Sequence, residues 1–202
     1  MMEAAGAKPV GVLALQGDFA RHLTALADLG VAGIEVRVAS DLEGLAGLVL
    51  PGGESGAMLR LMEPTELEAA IRKFHAQGGA LFGTCAGLIL LARGVTGPEQ
   101  RSLGLLDVDV ERNSYGRQID SFETELPWSG NGGPLRAVFI RAPRIQRVGS
   151  TVQVLARLSG DPVLVRHGSI LAASFHPELT GDLRLHRYFV EEVLNHRESA
   201  RA

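Results

Sequence analysis

Hydrophobic and polar positions follow two alternating periods in the first half of the chain. Short apolar or alternating runs, each stopped by glycine, proline or a polar turn, predict buried strands at residues 10–15, 34–38, 48–50 and 80–82. Between these runs, apolar residues at helical spacing predict a helix over 19–29 and a second helix that a capping box of Thr65 and Glu68 begins. Strands that alternate with helices in this way predict a parallel sheet covered by helices.

The second half of the chain has many predicted strands and little helix. The strands are expected at residues 104–110, 136–140, 152–156, 163–165 and 170–175, and a closing helix is expected at 183–195. The sequence therefore predicts an α/β fold of three layers. Its mostly parallel central sheet is flanked by helices, and the second half continues that sheet with mixed or antiparallel strands. Because no linker separates the halves, we expect one domain over residues 1–202.

Composition narrows the functional classes. The net charge of −3 and the pI of about 6.1 give no indication of a nucleic-acid partner or of binding to an anionic membrane surface. No apolar run approaches the ~20 residues that a membrane span needs, and residues 1–9 do not have the pattern of a signal peptide. The single cysteine favours a reducing, cytoplasmic setting. No spacing typical of a metal site, a Walker loop or a dinucleotide fingerprint is present, so no cofactor and no metal are expected.

That single cysteine lies in the most informative stretch. Cys85 stands between Gly83 and Gly87, after an apolar run and before an apolar helical pattern. The spacing is the thiol version of a nucleophile elbow, in which glycines permit a sharp turn from strand to helix. In this position the amide of Ala86 would face a developing oxyanion. The alternative for a lone cysteine is a small buried hydrophobic residue.

Other polar residues follow the predicted parallel strands at the same edge of the sheet. Gln16 comes after the first strand, residues 51–53 after the third, and Cys85 after the fourth. Ligand sites of parallel sheets lie beyond the carboxyl ends of the strands. The three segments are therefore expected to form one cleft.

A candidate base and its partner follow the last predicted strand. Pro177 keeps the segment from His176 to Glu178 out of a helical conformation, so that the two flanking side chains can lie on the same side. Glu178 would then orient His176, which would take the proton of Cys85, as in a nucleophile–base–acid triad. The remaining histidines are interpreted as surface or structural residues: His22, His75, His167, His186 and His196.

These motifs resemble a known enzyme family. The pentapeptide Gly-Thr-Cys-Ala-Gly at 83–87, followed distantly by Phe-His-Pro-Glu at 175–178, is similar to the class I glutamine amidotransferases, which hydrolyse glutamine with a Cys-His-Glu triad. Further blocks resemble the glutaminase subunits of pyridoxal 5′-phosphate synthase within that class, and they lie at residues 13–17, 50–55, 112–118, 120–123, 139–143 and 174–180. One position departs from that pattern, because Gly56 stands where these proteins usually carry a hydroxyl residue.

The resemblance implies a role for each site residue. It implies a catalytic triad of Cys85, His176 and Glu178, and an oxyanion hole formed by Gly53 and Ala86. The implied contacts to glutamine come from Gly53, Glu54, Ser55, Arg112, Ile140 and Arg141. A guanidinium suits the α-carboxylate of glutamine, and either arginine can supply it, although both can instead be solvated surface residues. Glu54 can pair with the α-ammonium or order its loop.

The resemblance also implies a partner. The ammonia released from L-glutamine would pass to the synthase subunit, which builds pyridoxal 5′-phosphate. The consecutive glycines Gly52 and Gly53 can exchange between backbone conformations with little steric penalty. We therefore expect their peptide to be a candidate switch that partner binding sets.

Three other functions remain compatible with parts of the sequence. The chain could be the glutaminase of another pathway, such as that of histidine, but the block at 112–118 argues against this. It could be a cysteine peptidase on a related scaffold, although His-Pro-Glu and the two arginines favour a free amino acid. It could also be a non-catalytic binding module, against which the intact Cys85, His176 and Glu178 speak.

Overall fold

The computed structural model describes residues 8–112, 121–130 and 132–194. Its strands are β1 (Val10–Leu13), β2 (Gly33–Val36), β3 (Gly47–Leu50), β4 (Ala80–Thr84), β5 (Ala92–Thr96), β6 (Leu106–Glu111), β7 (Phe122–Leu126), β8 (Leu135–Phe139), β9 (Arg144–Val148), β10 (Gln153–Leu158), β11 (Asp161–His167) and β12 (Ile170–Ala173). The helices are α1 (Phe19–Asp28), α2 (Ser55–Met62), α3 (Leu67–Ala76), α4 (Ala86–Leu91) and α5 (Arg184–Tyr188), which continues in a wider turn, Phe189–Val193. Single 3-10 turns lie at Ala39–Leu42, Glu63–Thr65 and Pro177–Leu179.

A seven-stranded sheet forms the centre, in the order β10-β11-β12-β4-β3-β1-β2. The pairings from β12 through β4, β3 and β1 to β2 are parallel, whereas β11 pairs antiparallel with both β10 and β12. Every residue of β1, β3, β4 and β12 is buried. Burial on both faces explains why these strands are apolar without interruption, as is typical of parallel sheets. The predicted α/β fold is confirmed.

The two faces of the sheet support separate hydrophobic cores. One core joins the sheet to α2, α3 and α4 through residues such as Met58, Ile71 and Leu88. The other joins it to α1, the C-terminal helix and the β7–β8 pair through residues such as Leu26 and Phe189. The alternation of side chains along each strand divides the contacts in this way, and the three predicted layers follow from it.

The prediction that all strands of the second half continue the central sheet is wrong in part. Strands β10, β11 and β12 do so, but β6 pairs with β5 and β9 in a separate sheet, and β8 pairs with β7 in a two-stranded sheet. The sequences explain the difference. Burial alternates along β6 and β8, with Asp107 and Arg136 among the outward positions. A strand with one polar face covers a core from outside and does not lie within it.

Local predictions around the helices also need correction. The predicted capping box is absent, because Glu66 precedes α3 in a left-handed conformation and the Thr65 hydroxyl donates instead to the carbonyl of Met62. Helix α2 is not predicted by the periodicity, since glycine stands in its first turn. The closing helix begins at Arg184, near its predicted start, and residue 195 lies outside the described part of the chain.

Two further predictions concern the chain as a whole. None of the described helices is long and apolar enough to cross a lipid bilayer. One domain over residues 1–202 stays a prediction.

Replacing Gly56 by alanine is expected to stabilise the fold. Gly56 lies in the first turn of α2, and a Cβ there would lie 3.5 Å from Gln100 Oε1, an ordinary contact distance. The substitution removes conformational freedom from the unfolded chain and should raise the free energy of unfolding by about 0.4–1 kcal/mol. Urea denaturation measures this value.

Gly30→Ala is the matched control. Space is also open at Gly30, but its φ of +73° lies in the left-handed region. This variant should therefore be less stable than the parent chain. A Gly56→Ala variant that is destabilised to the same extent would contradict the conformation assigned to α2.

Candidate active site

The cysteine lies at a strained turn between β4 and α4. Cys85 has φ 48° and ψ −100°, a left-handed conformation that residues with a side chain rarely adopt. Its amide donates to the carbonyl of Ala173 at 2.9 Å, which ties the turn to the end of β12. Side-chain packing leaves the residue only 7% exposed. The surroundings therefore hold the cysteine in a conformation that its own side chain disfavours.

Two glycines permit this turn by allowing close backbone packing. A Cβ at Gly83 would lie 2.7 Å from the carbonyl carbon of Gly87, so the strand end and the helix start touch directly. A Cβ at Gly87 would lie 1.9 Å from the carbonyl oxygen of Leu50, so α4 rests on the end of β3. Any side chain at either position would force the helix away from the sheet. The spacing of glycines around Cys85 thus has a steric cause.

The histidine and the glutamate follow β12 and lie together. The Nδ1 atom of His176 is 2.7 Å from Oε1 of Glu178, and both residues are buried. The amide of His176 donates to the carbonyl of Val138 at 2.8 Å, which fixes this segment against β8. Because the carboxylate accepts at Nδ1, the proton of the neutral imidazole lies there and Nε2 remains free toward the cysteine.

The protonation of His176 is set by competing effects. Burial disfavours its positive charge, but hydrogen bonds to the side chains of Cys85 and Glu178 outweigh burial and raise the pKa of His176 to about 10. The surroundings of His176 therefore favour an imidazolium that lies between the thiol of Cys85 and the carboxylate of Glu178.

The loop after β3 packs against the histidine. A Cβ at Gly52 would lie 2.3 Å from Cε1 of His176, so only glycine leaves room for the ring. The next residue, Gly53, has φ +148°. The side chain of Gln16 holds the loop, because its Oε1 accepts from the amide of Glu54 at 2.8 Å. The carbonyl of Gly52 also lies so close to Gly17 that a Cβ there would be 1.9 Å away.

Charged and polar groups surround the opening of the site. Arg141 donates to Oε1 of Glu54 at 3.2 Å, in a pair whose side chains are 67% and 55% exposed. Arg141 itself has a left-handed φ of 44°. Ser55 is buried and donates to Gln100 Oε1 at 3.1 Å. The carbonyl of Ile140 lies 4.0 Å from Sγ of Cys85, which places this backbone beside the reactive sulfur.

These groups line a single cleft of about 280 Å³. Its lining residues are Gln16, Gly17, Asp18, Gly52, Gly53, Glu54, Ser55, Cys85, Ile89, Arg112, Ile140, Arg141 and His176. The three strand ends that the sequence predicts to meet do meet here. Of the predicted site residues, Glu178 and Ala86 do not line the cleft, because Glu178 is buried behind the histidine and Ala86 is buried at the start of α4.

Arg112 reaches the cleft from the end of β6, where its amide donates to the carbonyl of Thr96 at 2.9 Å. The rest of the block that follows it, residues 113–118, and Asp120 lie outside the described residues. The contribution of this block to the site therefore stays a prediction.

Sequence reasoning missed Asp18, which lines the cleft from the start of α1. Its carboxylate lies within 4.8 Å of ligand atoms of His176 and Glu178, a grouping of the type that can hold a metal ion. His176 and Glu178 are already bonded to each other, however, so their facing electron pairs are occupied. The available signal was the position of Asp18 just after β1, at the strand edge where ligands bind.

Two of the remaining histidines are buried, which agrees with the structural one of the two roles that the sequence left open. His22 and His186 are 0% and 1% exposed, His22 lies 3.4 Å from Oε2 of Glu178, and His186 contacts His22. Their spacing along the chain gives no signal, because α1 and α5 are separated by most of the sequence.

Comparisons with known proteins identify relatives over most of the chain. The chain is 58% identical over 184 residues to the pyridoxal 5′-phosphate synthase subunit PdxT of Thermus thermophilus, with 90% of this chain and 96% of that protein covered. It is 54% identical over 186 residues to the PdxT protein of Deinococcus radiodurans, with 90% and 95% covered.

Solved structures of glutamine amidotransferases also resemble this chain. A crystal structure of a glutamine amidotransferase superposes with a TM-score of 0.86 at 54% identity, covering 92% of this chain and 98% of that one. A crystal structure of a glutamine amidotransferase from Thermotoga maritima shares the fold at 11% identity, with a TM-score of 0.61 and coverage of 96% and 86%. The SNO glutamine amidotransferase family matches residues 12–195, and the chain belongs to this family.

Proposed function

We propose that this chain hydrolyses L-glutamine to L-glutamate and ammonia with Cys85, His176 and Glu178, as the glutaminase subunit of a pyridoxal 5′-phosphate synthase. The observation that carries the proposal is the site itself, in which a strained cysteine faces a histidine that a buried glutamate orients at 2.7 Å. The relatives named as subunits of pyridoxal 5′-phosphate synthase support the choice of pathway.

The proposed reaction has two halves. The thiolate of Cys85 attacks the side-chain amide carbon of glutamine, and the electron pair of the carbonyl moves to its oxygen. As the tetrahedral intermediate collapses, the C–N bond breaks and the imidazolium of His176 protonates the departing nitrogen, which leaves as ammonia. Neutral His176 then takes a proton from water, the hydroxide attacks the γ-glutamyl thioester, and glutamate and the thiolate are released.

The oxyanion would be stabilised by backbone amides. Ala86 follows the nucleophile directly, and Gly53 lies in the loop that lines the cleft beside it. We assign the two donors to these residues. One lost oxyanion donor typically lowers the rate by ~10²–10³-fold, so the conformation of the Gly52–Gly53 peptide would decide whether the site is active.

Recognition of the amino-acid part of glutamine would use the opening of the cleft. Arg141 and Arg112 are the cations of its lining, and either suits the α-carboxylate. The pair between Arg141 and Glu54 is exposed, and exposed pairs contribute only ~0–1 kcal/mol. The substrate can therefore replace this contact at little cost, which would free Glu54 for the α-ammonium. Ser55 and the backbone of Ile140 complete the proposed contacts.

The product explains the need for a partner. Ammonia is a nucleophile only when unprotonated, and in bulk water near neutral pH most of it becomes ammonium. We propose that a synthase subunit binds this chain, receives the ammonia directly and sets the Gly52–Gly53 peptide in its active orientation.

Glutamate release from L-glutamine tests the proposed function. The purified chain should release glutamate slowly alone and faster with the synthase subunit in excess. Cys85→Ala should abolish release, since loss of a triad nucleophile costs on the order of 10⁶ in rate. Glu178→Gln should lose less activity than Cys85→Ala, because the carboxylate orients the base and takes no part in bond breaking. A Cys85→Ala variant that retains more than about a tenth of the activity would refute the assignment.

Gly52→Ala should inactivate the enzyme without unfolding it. The new Cβ would overlap the imidazole of His176, and a displacement of about 1 Å costs about 100-fold in rate. The matched control is Gly56→Ala in the first turn of α2, where the added methyl group has room and activity should be unchanged. Equal activity of both variants would show that the contact between Gly52 and His176 does not constrain catalysis.

The charge of His176 should persist well above neutral pH. Because its pKa is raised to about 10, the stabilisation from the protonated ring is complete below the ordinary pKa of about 6.5 and is lost as the pH rises through about 10. Nitrogen-15 shifts of the labelled ring should report an imidazolium at pH 8. Glu178→Gln removes one cause of the shift and should lower the midpoint. A neutral ring at pH 8 in the parent chain would contradict the raised pKa of His176.

A further inference from the structure

A chain of buried polar groups extends from the triad into the protein interior. Glu178 bonds to His176 through Oε1, and its second oxygen, Oε2, lies 3.4 Å from Nε2 of His22. The Nδ1 atom of His22 is in turn 2.9 Å from Nε2 of His186. The Nε2 atom of His22 also lies 3.2 Å from the hydroxyl of Thr84. Helix α1, helix α5, the end of β4 and the turn at Pro177–Leu179 each supply one member.

The surroundings exclude water from this chain of groups. The side chains of His22 and Glu178 are 0% exposed, and Thr84 is also fully buried. The ring of Phe82 meets both imidazoles edge-on, with centroids 6.3 Å from His22 and 5.7 Å from His186. A buried carboxylate oxygen is costly without a donor. Among the described residues, Oε2 of Glu178 has no hydrogen bond of ordinary geometry, and its ion-pair contact is the one with Nε2 of His22 at 3.4 Å.

The hydrogen-bond partners assign the tautomers. If His22 carried its proton on Nδ1, a lone pair of its Nε2 would face the carboxylate. Nε2 of His186 would then have to accept from His22. The proton of His186 would lie on its Nδ1 atom, which has no partner among the described residues. The opposite arrangement turns the N–H of His22 toward the carboxylate, and the unpartnered Nδ1 of His186 then carries a lone pair and not a proton. His186 then donates from Nε2 to His22, and His22 donates from Nε2 toward Glu178 and Thr84.

Both rings are neutral in this arrangement. Burial, with the charges of His186 and His176 adding to it, holds the pKa of His22 well below its usual value. Burial also lowers the pKa of His186 to about 4, against a small opposing effect of Asp182. The donor that faces Glu178 is therefore a neutral N–H at all pH values at which the enzyme would work.

We propose that His22 is a positioning residue, which donates to the second oxygen of Glu178 and so holds the carboxylate in line with His176, with His186 fixing the required tautomer. The inference rests on the proposed function, since it assigns a task within the same triad. A carboxylate held at one oxygen can rotate, whereas one held at both oxygens keeps its orientation toward the imidazole.

Three substitutions of His22 separate positioning from packing. Leucine removes both ring nitrogens and keeps an apolar side chain of similar size. Glutamine can place an amide N–H near the position of Nε2, and asparagine can place one only near that of Nδ1. If positioning matters, His22→Gln should retain most of the turnover, whereas His22→Leu and His22→Asn should lose it. His75→Leu is the matched control, because His75 lies at the end of α3, at the opposite edge of the sheet.

Turnover with saturating synthase subunit is the first measurement. His22→Leu and His22→Asn should lower kcat by about 10-fold or more with KM changed little, as expected when a catalytic group is misplaced and substrate contacts remain. His22→Gln should stay within a few-fold of the parent, and His75→Leu should equal it. If His22→Leu does not fold, the difference in turnover between His22→Gln and His22→Asn tests the proposal. Equal losses in these two variants, or losses that follow the melting temperature, would overturn the proposal.

Alkylation of the cysteine provides a second measurement that does not depend on glutamine. Cys85 is the only cysteine in the chain, so iodoacetamide reports its thiolate alone. The charged groups around Cys85 and His176 are Glu178, Asp18 and the cleft residues Glu54, Arg112 and Arg141, and the neutral His22 lies behind Glu178. A loosened Glu178 stabilises the imidazolium less, so the pH midpoint of alkylation should rise in His22→Leu and His22→Asn and stay unchanged in His22→Gln. An unchanged midpoint in all three variants would overturn the proposal. If the midpoints shift but the parent chain releases no glutamate from glutamine, only the glutaminase function is refuted.

Discussion

The parallel pairing of β4 with β12 is the constraint on which the site depends. In this register Thr84 lies opposite Ala173, and the amide of Cys85 then bonds to the carbonyl of Ala173 at 2.9 Å. The cysteine and the histidine are 91 positions apart in the chain, yet each follows one of these two strands by a few residues. A slip of one residue would turn every side chain of β12 to the other face. Because all residues of both strands are buried, such a slip would place each side chain in the core of the opposite face, and the packing of both cores thereby fixes the position of Cys85 relative to His176.

Close backbone contacts convert this register into a reactive geometry. Gly87 brings α4 onto the end of β3, and Gly52 brings the next loop onto the ring of His176. At both places a single Cβ would separate the elements, so the site is assembled from backbone surfaces as much as from side chains. The strain at Cys85 has the same origin, since its left-handed conformation persists only because β4, β12 and α4 together determine it. Packing supplies the energy that holds Cys85 in this conformation.

The sequence predicts most of the central sheet and the cleft, for a physical reason. Strands buried on both faces are continuously apolar, and polar residues that follow them must lie at the same edge, as Gln16 and Cys85 do. The prediction fails for β6 and β8, because an alternating strand gives no sign of which sheet it joins. It also does not place His22 and Asp18 beside the triad, for a different reason. A buried histidine and an exposed aspartate at one helix have no distinctive spacing, and only the packing of α1 against the turn at Pro177–Leu179 brings them to the triad.

The two sides of the site differ in rigidity, and this difference bears on control. Behind the imidazole, Glu178, His22 and His186 are enclosed, and a rearrangement there would break the buried contacts that join them. In front of it, the pair of Arg141 with Glu54 is exposed and the loop contains consecutive glycines, so changes of conformation cost little. A partner that binds at the cleft can therefore alter substrate contacts and the oxyanion donors while the base keeps its orientation. Under the proposed function, control by a partner on the open side and orientation of the base on the closed side would therefore use different residues.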